Sequence, residues 1–193
     1  MTSPRAKHRA TLDDLAAERD RGLAVELIEG EIVQKAAPLP AHGGAQMKLG
    51  ELLGGFHRRT GGPRGPGGWW IMSEVEIAYP RTDEIFRHDA LGFRRESRPE
   101  RPEGMPVRAR PDWVAEILSP STGRYDVVKK QRTLHLHGVP HYWIVDPEHE
   151  TLTVLRHAGE AYLSILSAGV GDVVRAEPFE VVEISISDLF GHD

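Results

Sequence analysis

Two isolated carboxylates within apolar, strand-like runs and one lysine on a polar helix carry the chemistry legible in this chain. Glu116 interrupts Trp113-Val-Ala-Glu-Ile-Leu118, and Asp89 lies between Phe86 and Leu91 in EIFRHDALGFR, Glu84 to Arg94. A partly buried carboxylate is costly unless a cation meets it. Lys130 falls between Val127 and Leu134 at three- and four-residue spacing, so it shares the helix face that packs on a sheet. Two carboxylates and an amine at a central strand suit phosphodiester hydrolysis. The carboxylates hold Mg²⁺, or Mn²⁺ in its place, which polarises the phosphate and lowers the pKa of a bound water. The ammonium offsets charge building on the transition-state oxygens and can orient the water. The same groups also make an ordinary buried ion pair, so residue type alone leaves both readings open.

The elements that must position these groups follow from pattern. Trp113 to Leu118 has strand length and β-favouring composition. Ser119-Pro-Ser-Thr122 stops it, and a helix from about Thr122 to His137 closes at Gly138. A second strand, His141 to Asp146, ends at Pro147. Strand, crossover helix and strand form a βαβ unit with parallel strands. Asp112 and Glu116 share one face of their strand, but four residues separate their Cα atoms by roughly 13 Å. That is too far for one hard cation, so the second ligand must come from a neighbouring strand. Asp89, on the strand before the loop into Glu116's strand, supplies it. Lys129, about 100° round the helix from Lys130, points to solvent.

Upstream, Thr11 caps a short helix, Leu12 to Glu18. Ala24 to Ile28 and Glu31 to Lys35 form a hairpin about Glu29-Gly30, and His42 to Phe56 has helical apolar spacing. Trp69 to Tyr79 reads as a long strand antiparallel to Glu84 to Arg94, while Gly61 to Gly68 and the Pro- and Arg-rich Ser97 to Arg110 read as exposed loops. A hairpin, Thr151 to Arg156 with Ala161 to Leu166, follows, then strand at Val173 to Arg175 and Glu180 to Ile186 and a turn at Asp188 to Phe190. The order α-β-β-α-β-β-β-α-β-β-β gives a mixed sheet with helices packed on it.

With 193 residues, one domain over residues 11–193 behind a loose polar tail, 1–10, is expected. Cysteine is absent, which excludes disulfides and thiolate metal sites and fits a reducing cytoplasm. No apolar run reaches the length of a membrane span. The net charge of −5 gives no global basic footprint of the kind duplex binders usually carry, so any nucleic-acid contact must be a local patch. His135, His137 and His141 in HLHGVPH lack the helical spacing of a zinc site. Trp113 and Trp143 read as core. Glu26, Glu31 and His42 are ambiguous from residue type alone, polar hairpin and helix-start residues of a kind usually solvated.

The run PDWVAEILSPSTGRYD, with the following K, GV and HYWIVDP, resembles the Uma-type family of restriction endonucleases in the PD-(D/E)XK nuclease superfamily. VELIEGEIV with His42 downstream is similar to that family's N-terminal hairpin and helix start, and RHDALGFRRE to its Pro-Asp strand. The resemblance implies an α/β (α+β) restriction-endonuclease-like fold, a mixed central β-sheet flanked by helices. It further implies a Mg²⁺-dependent endonuclease acting on DNA as a homodimer. It assigns Asp89 and Glu116 to the metal and Lys130 to the catalytic lysine, with Glu31 at an acidic position beside the site. Asp112 and His42 are further accessory candidates. His88 replaces the usual Pro before Asp89, Leu118 stands where the superfamily pattern has its strand lysine, and Leu134 where relatives commonly carry Tyr. Two rivals stand beside this reading. One is a non-catalytic nucleic-acid-binding or regulatory module that kept the fold; the other is a protein-interaction module using the Gly- and Arg-rich loops.

Overall fold

A computed structural model describes residues 9–60, 67–119 and 123–192, and for residues 123–126 the backbone alone. Most of the expected tail, of the Gly61 to Gly68 loop and of the Ser119 to Thr122 turn lies outside the described residues. Thr11 caps α1 (Leu12–Asp20) through a reciprocal box with Asp14. Strands β1 (Val25–Ile28) and β2 (Glu31–Gln34) turn at Glu29 and Gly30. Both turn residues have positive φ, 52° and 79°, the geometry a tight hairpin with the right twist demands. Helix α2 (Pro40–Leu53) runs into a 3-10 turn, Gly54–His57. The long strands β3 (Trp69–Tyr79) and β4 (Glu84–Arg94) pair antiparallel along their whole length.

Strand β5 (Trp113–Ile117), helix α3 (Gly123–Leu136) and strand β6 (His141–Asp146) make the expected parallel βαβ unit. Gly138, at φ 67°, ends the helix where a side chain would be strained. Strands β7 (Thr151–Ala158) and β8 (Ala161–Gly169) complete an eight-stranded mixed sheet. On one face α2 and the C-terminal segment cover a core around Trp113, Trp143 and Phe179; on the other, α3 covers Phe86, Leu91, Val114 and Tyr142. Among the described residues no helix is long and apolar enough to cross a membrane.

Two expected segments differ. Glu180 to Ile186 is strand only at β10 (Ile184–Ser185), paired with β9 (Val173–Val174) and followed by α4 (Ile186–Leu189). The fully buried Phe179 sits between two successive turns ahead of β10, Phe179 N–H to Ala176 O and Val182 N–H to Phe179 O. Ser97 to Arg110 is not wholly exposed. Val107 is buried and bridges the outer edge of β3, donating to Glu76 O at 2.8 Å and accepting from Ala78 N–H at 2.9 Å.

Strands β3 and β4 reverse their faces together midway. Trp70 and Met72 face the α3 side, but so do Val75, Ile77 and Tyr79, which have the opposite parity; in β4, Phe86 and Leu91 show the same reversal. The cross-strand register is kept, Ser73 opposite Ala90 and Val75 opposite His88. The reversal therefore falls on Glu74, whose φ is +55°, and on Asp89 across from it. A kink of this kind re-aims side chains that strict alternation would send into a core.

Candidate active site

Strand β4 has three neighbours, and the candidate site is the notch this creates. Along one edge β3 follows it throughout. Along the other, β1 touches it only at Ile85, through Leu27, and β5 only at Ala90 to Gly92. Between those contacts the edge of β4 has no strand partner among the described residues, and side chains take over its hydrogen bonds. Glu26 Oε1 accepts from Arg87 N–H at 2.7 Å, Lys35 Nζ donates to Arg87 O at 3.0 Å, and Gln46 Nε2 donates to Asp89 O at 2.9 Å. On the β5 side Asp89 Oδ2 accepts the Ile117 N–H at 2.7 Å, where the β4–β5 ladder has ended. The same fork that separates two strands thus gathers charged groups that neither strand could bury alone.

Asp89, Glu116 and Lys130 meet on the wall of one cavity of about 50 Å³ inside this notch, together with Glu26, Lys35 and His42. Lys130 reaches down from α3 and lies 2.8 Å from Glu26 Oε1 and 3.1 Å from Glu116 Oε2. Burial opposes its charge, but Glu116 and Glu26 outweigh burial and raise its pKa. Burial likewise opposes ionisation of Glu116, and the Lys130 ammonium and a hydrogen bond from His88 overcome it, holding the carboxyl below its ordinary value. Asp89 follows the same pattern: against burial, the His42 hydrogen bond, the Lys35 ammonium and the Ile117 N–H hold its pKa down. Both carboxylates are therefore ionised at neutral pH.

The structure brings in residues that pattern reading left out. Lys35, just after β2, places Nζ 2.6 Å from Asp89 Oδ1 and 3.2 Å from Glu74 Oε1. Its side chain is 16% exposed, against 5% for Lys130, so it is the amine with access to what enters the notch. Glu26, ambiguous from residue type, is 4% exposed, because β1 is covered on both faces. His88 donates Nδ1–H to Glu116 Oε1 at 2.5 Å, and its Nε2 lies 2.7 Å from the Tyr79 hydroxyl. An ionised Glu116 has no proton to give, so Nδ1 is the donor in that bond. Burial raises the Tyr79 pKa well above its usual value, which keeps that phenol protonated. The residue in the usual Pro position thus orients Glu116.

The other named candidates separate by position. His42, at the start of α2, is buried and lies 3.3 Å from Asp89 Oδ2, so it joins the notch. Asp112 does not: at the far end of β5 it accepts the Arg94 N–H at 2.8 Å and pairs with Arg110 at 3.2 Å. Glu31 is exposed beside the β1–β2 turn and outside the cavity lining. Lys129 is not simply in solvent, since it pairs with Glu29 at 2.9 Å. His135 stacks on His157, His137 bonds the Thr133 carbonyl, and His141 faces Glu177.

The donor chemistry fits a small hard cation. Asp89 and Glu116 present carboxylate oxygens to one cavity, and an ammonium already sits 2.6 Å from Asp89 Oδ1. Among the described residues no three His or acidic side chains converge as a metal cage. Mg²⁺ does not require one, since it is commonly held by one or two carboxylates with water and phosphate completing the shell.

A mixed sheet flanked by helices, with acidic residues at the fork of its central strands, defines a restriction-endonuclease-like nuclease fold. Residues 10–187 match the Uma2 family, described as "Putative restriction endonuclease", and the chain belongs to that family. A crystal structure from Anabaena variabilis ATCC 29413, of a "putative nuclease belonging to DUF820", is 26% identical with a TM-score of 0.71 over 94% of this chain and 98% of that one. No curated protein matches.

Proposed function

We propose that this protein is a divalent-metal-dependent endonuclease that hydrolyses phosphodiester bonds in DNA. The observation that carries the reading is the notch itself: the ionised Asp89 and Glu116 carboxylates and the Lys35 and Lys130 ammonium groups, with Glu26 beside them, around one small cavity. Family membership and the nuclease-fold neighbour support it. Asp89 and Glu116 would hold Mg²⁺ or Mn²⁺, which when bound supplies Lewis-acid polarisation of the phosphate and a more acidic water.

The chain's own residues divide the remaining work. Lys130 spends two of its donors on Glu26 and Glu116, so its role is to keep Glu116 charged and fixed. His88, backed by Tyr79, holds the other oxygen of Glu116. Lys35 has the more exposed end and pairs with Glu74 as well as Asp89, so it would keep a partner beside a cation held by Asp89 and Glu116. Its ammonium would offset charge on the phosphate oxygens. This moves the phosphate-facing amine from Lys130 to Lys35. Two copies acting together would bring one notch to each strand of a duplex.

The test is nicking of supercoiled plasmid with Mg²⁺ or Mn²⁺ against EDTA, comparing wild type with Glu116→Gln, Lys35→Met and Lys130→Arg. We expect metal-dependent nicking in wild type, its loss in the first two variants and its partial survival in the third. Nicking that persists in folded Glu116→Gln would place the chemistry elsewhere.

A further inference from the structure

Some distance from the notch, at the other end of β3 and β4, a cavity of about 510 Å³ is lined by Arg59, Arg94 and Arg95 beside Trp69. None of these three arginines forms an ion pair among the described residues, although Glu96 and Glu180 also line the wall. In a chain of net charge −5, basic groups left unpaired beside available acids form a local positive centre. Arg95 lies 3.2 Å over the Trp70 ring and donates to Trp69 O and His57 O; Arg94 lies 4.5 Å over Trp69. Stacking on rings and carbonyl contacts fix the guanidinium planes before any ligand arrives, and such planes match phosphate oxygens well. Desolvation and then repulsion from Arg59 lower the Arg95 pKa, so the two guanidinium charges act on one another across this wall.

A groove of about 480 Å³ runs between α2 and β3, from Gln46 and Glu74 at the site to His57 and Ile71. His57 follows Phe56, which lines the arginine cavity, and packs edge-on against Trp70. From Glu74 to Trp69 is five residues of strand, roughly 17 Å. At about 3.4 Å per base pair, that is roughly five base pairs of DNA.

We propose that Arg59, Arg94 and Arg95 form a phosphate-binding face that grips the nucleic-acid backbone and leads it along the α2–β3 groove into the notch. The inference rests on the nucleic-acid reading above and adds where the substrate lies. Arg59 and Arg94 make the contacts, and Arg95, tied to Trp69 and His57, braces the face.

The test is anisotropy of a labelled duplex oligonucleotide in EDTA, across KCl from about 50 to 200 mM. The protein is compared as wild type, as Arg59→Gln/Arg94→Gln, and as an Arg21→Gln/Arg175→Gln control taken from ion-paired surface arginines. Glutamine keeps part of the stem over Trp69, and circular dichroism checks the fold. Each lost phosphate contact reduces the slope of log K against log salt by about 0.9, so the first double variant should be shallower by roughly 1.8 and the control unchanged. A folded Arg59→Gln/Arg94→Gln protein with the wild-type slope overturns the proposal. If the slope changes as expected but wild type nicks no plasmid with any metal, the arginine face stands and the hydrolytic reading falls. If wild type binds no nucleic acid at any salt, both fall.

Discussion

Lys130→Met tests the electrostatic logic of the notch most directly. The Lys130, Glu26 and Glu116 side chains are each no more than 8% exposed, and the ammonium lies about 3 Å from both carboxylates. Replacing it with an apolar chain of similar length keeps the packing and strands two buried anions. Removing one partner of a buried pair costs about 3–5 kcal/mol. At about 2–4 °C per kcal/mol for a chain of this size, the melting temperature should fall by roughly 6–20 °C near neutral pH. The loss should depend on pH with a definite sign. In wild type the Glu116 pKa lies below 4.5; in the variant burial is unopposed by Lys130 and pushes it up. A carboxyl whose folded pKa exceeds its unfolded value stabilises at low pH and loses that contribution as pH rises. The gap between variant and wild type should therefore narrow toward about pH 5 and widen above it. Adding Glu26→Gln should recover part of the stability, because one of the two stranded charges is gone. Differential scanning calorimetry across this range, with circular dichroism at each pH, provides the measurement. A variant melting within about 2 °C of wild type at neutral pH, or a gap independent of pH, would refute the claim that this ammonium ties the notch together.

Other outcomes follow from the same geometry. Lys35→Met removes a charged hydrogen bond worth about 1.5–3 kcal/mol, so its melting temperature should fall less than that of Lys130→Met. Because Lys35 sits against Asp89 at 2.6 Å, the variant should gain a larger Mg²⁺-induced rise in melting temperature than wild type; an equal rise would show that Lys35 and the ion do not compete. Mg²⁺ at about a hundred times its dissociation constant should stabilise wild type by about 2.7 kcal/mol, and Asp89→Asn or Glu116→Gln should abolish that shift; its persistence in both would exclude these ligands. On acidification, Asp89 and Glu116 have folded pKa values below the ordinary 3.8 and 4.5. They contribute stability above those values and lose it as pH falls through the folded ones, so wild type should lose stability below about pH 4 more steeply than Asp89→Asn in urea titrations.

The legible parts of this protein share one property: their signal is local. The βαβ unit was readable because Trp113 to Ile117 and His141 to Asp146 are apolar runs separated by one helical pattern and Gly138. Asp89 and Glu116 stood out as single carboxylates within such runs, and Lys130 by its spacing from Val127 and Leu134. Lys35 carried no comparable signal. It ends a hairpin strand that resembles a solvated one, and only the Leu27–Ile85 pairing, 58 positions apart, carries it over Asp89. Glu26 stayed ambiguous for the same reason, since nothing nearby in the chain shows that β1 is covered on both faces. Asp112 and Glu31 were acidic residues in suggestive places, and position along a strand or beside a turn took them away from the notch.

Residue pattern alone thus determined most of the elements, the order of the main-sheet strands and the two candidate carboxylates, because periodicity and composition act over a few residues at a time. Only the tertiary structure decided which cations answer those carboxylates, which lysine is buried and which reaches solvent, and that three arginines gather at the far end of a groove. Those outcomes depend on strands far apart in the chain sharing one edge of β4, and on a paired reversal of faces at Glu74 and Asp89 that no local pattern encodes.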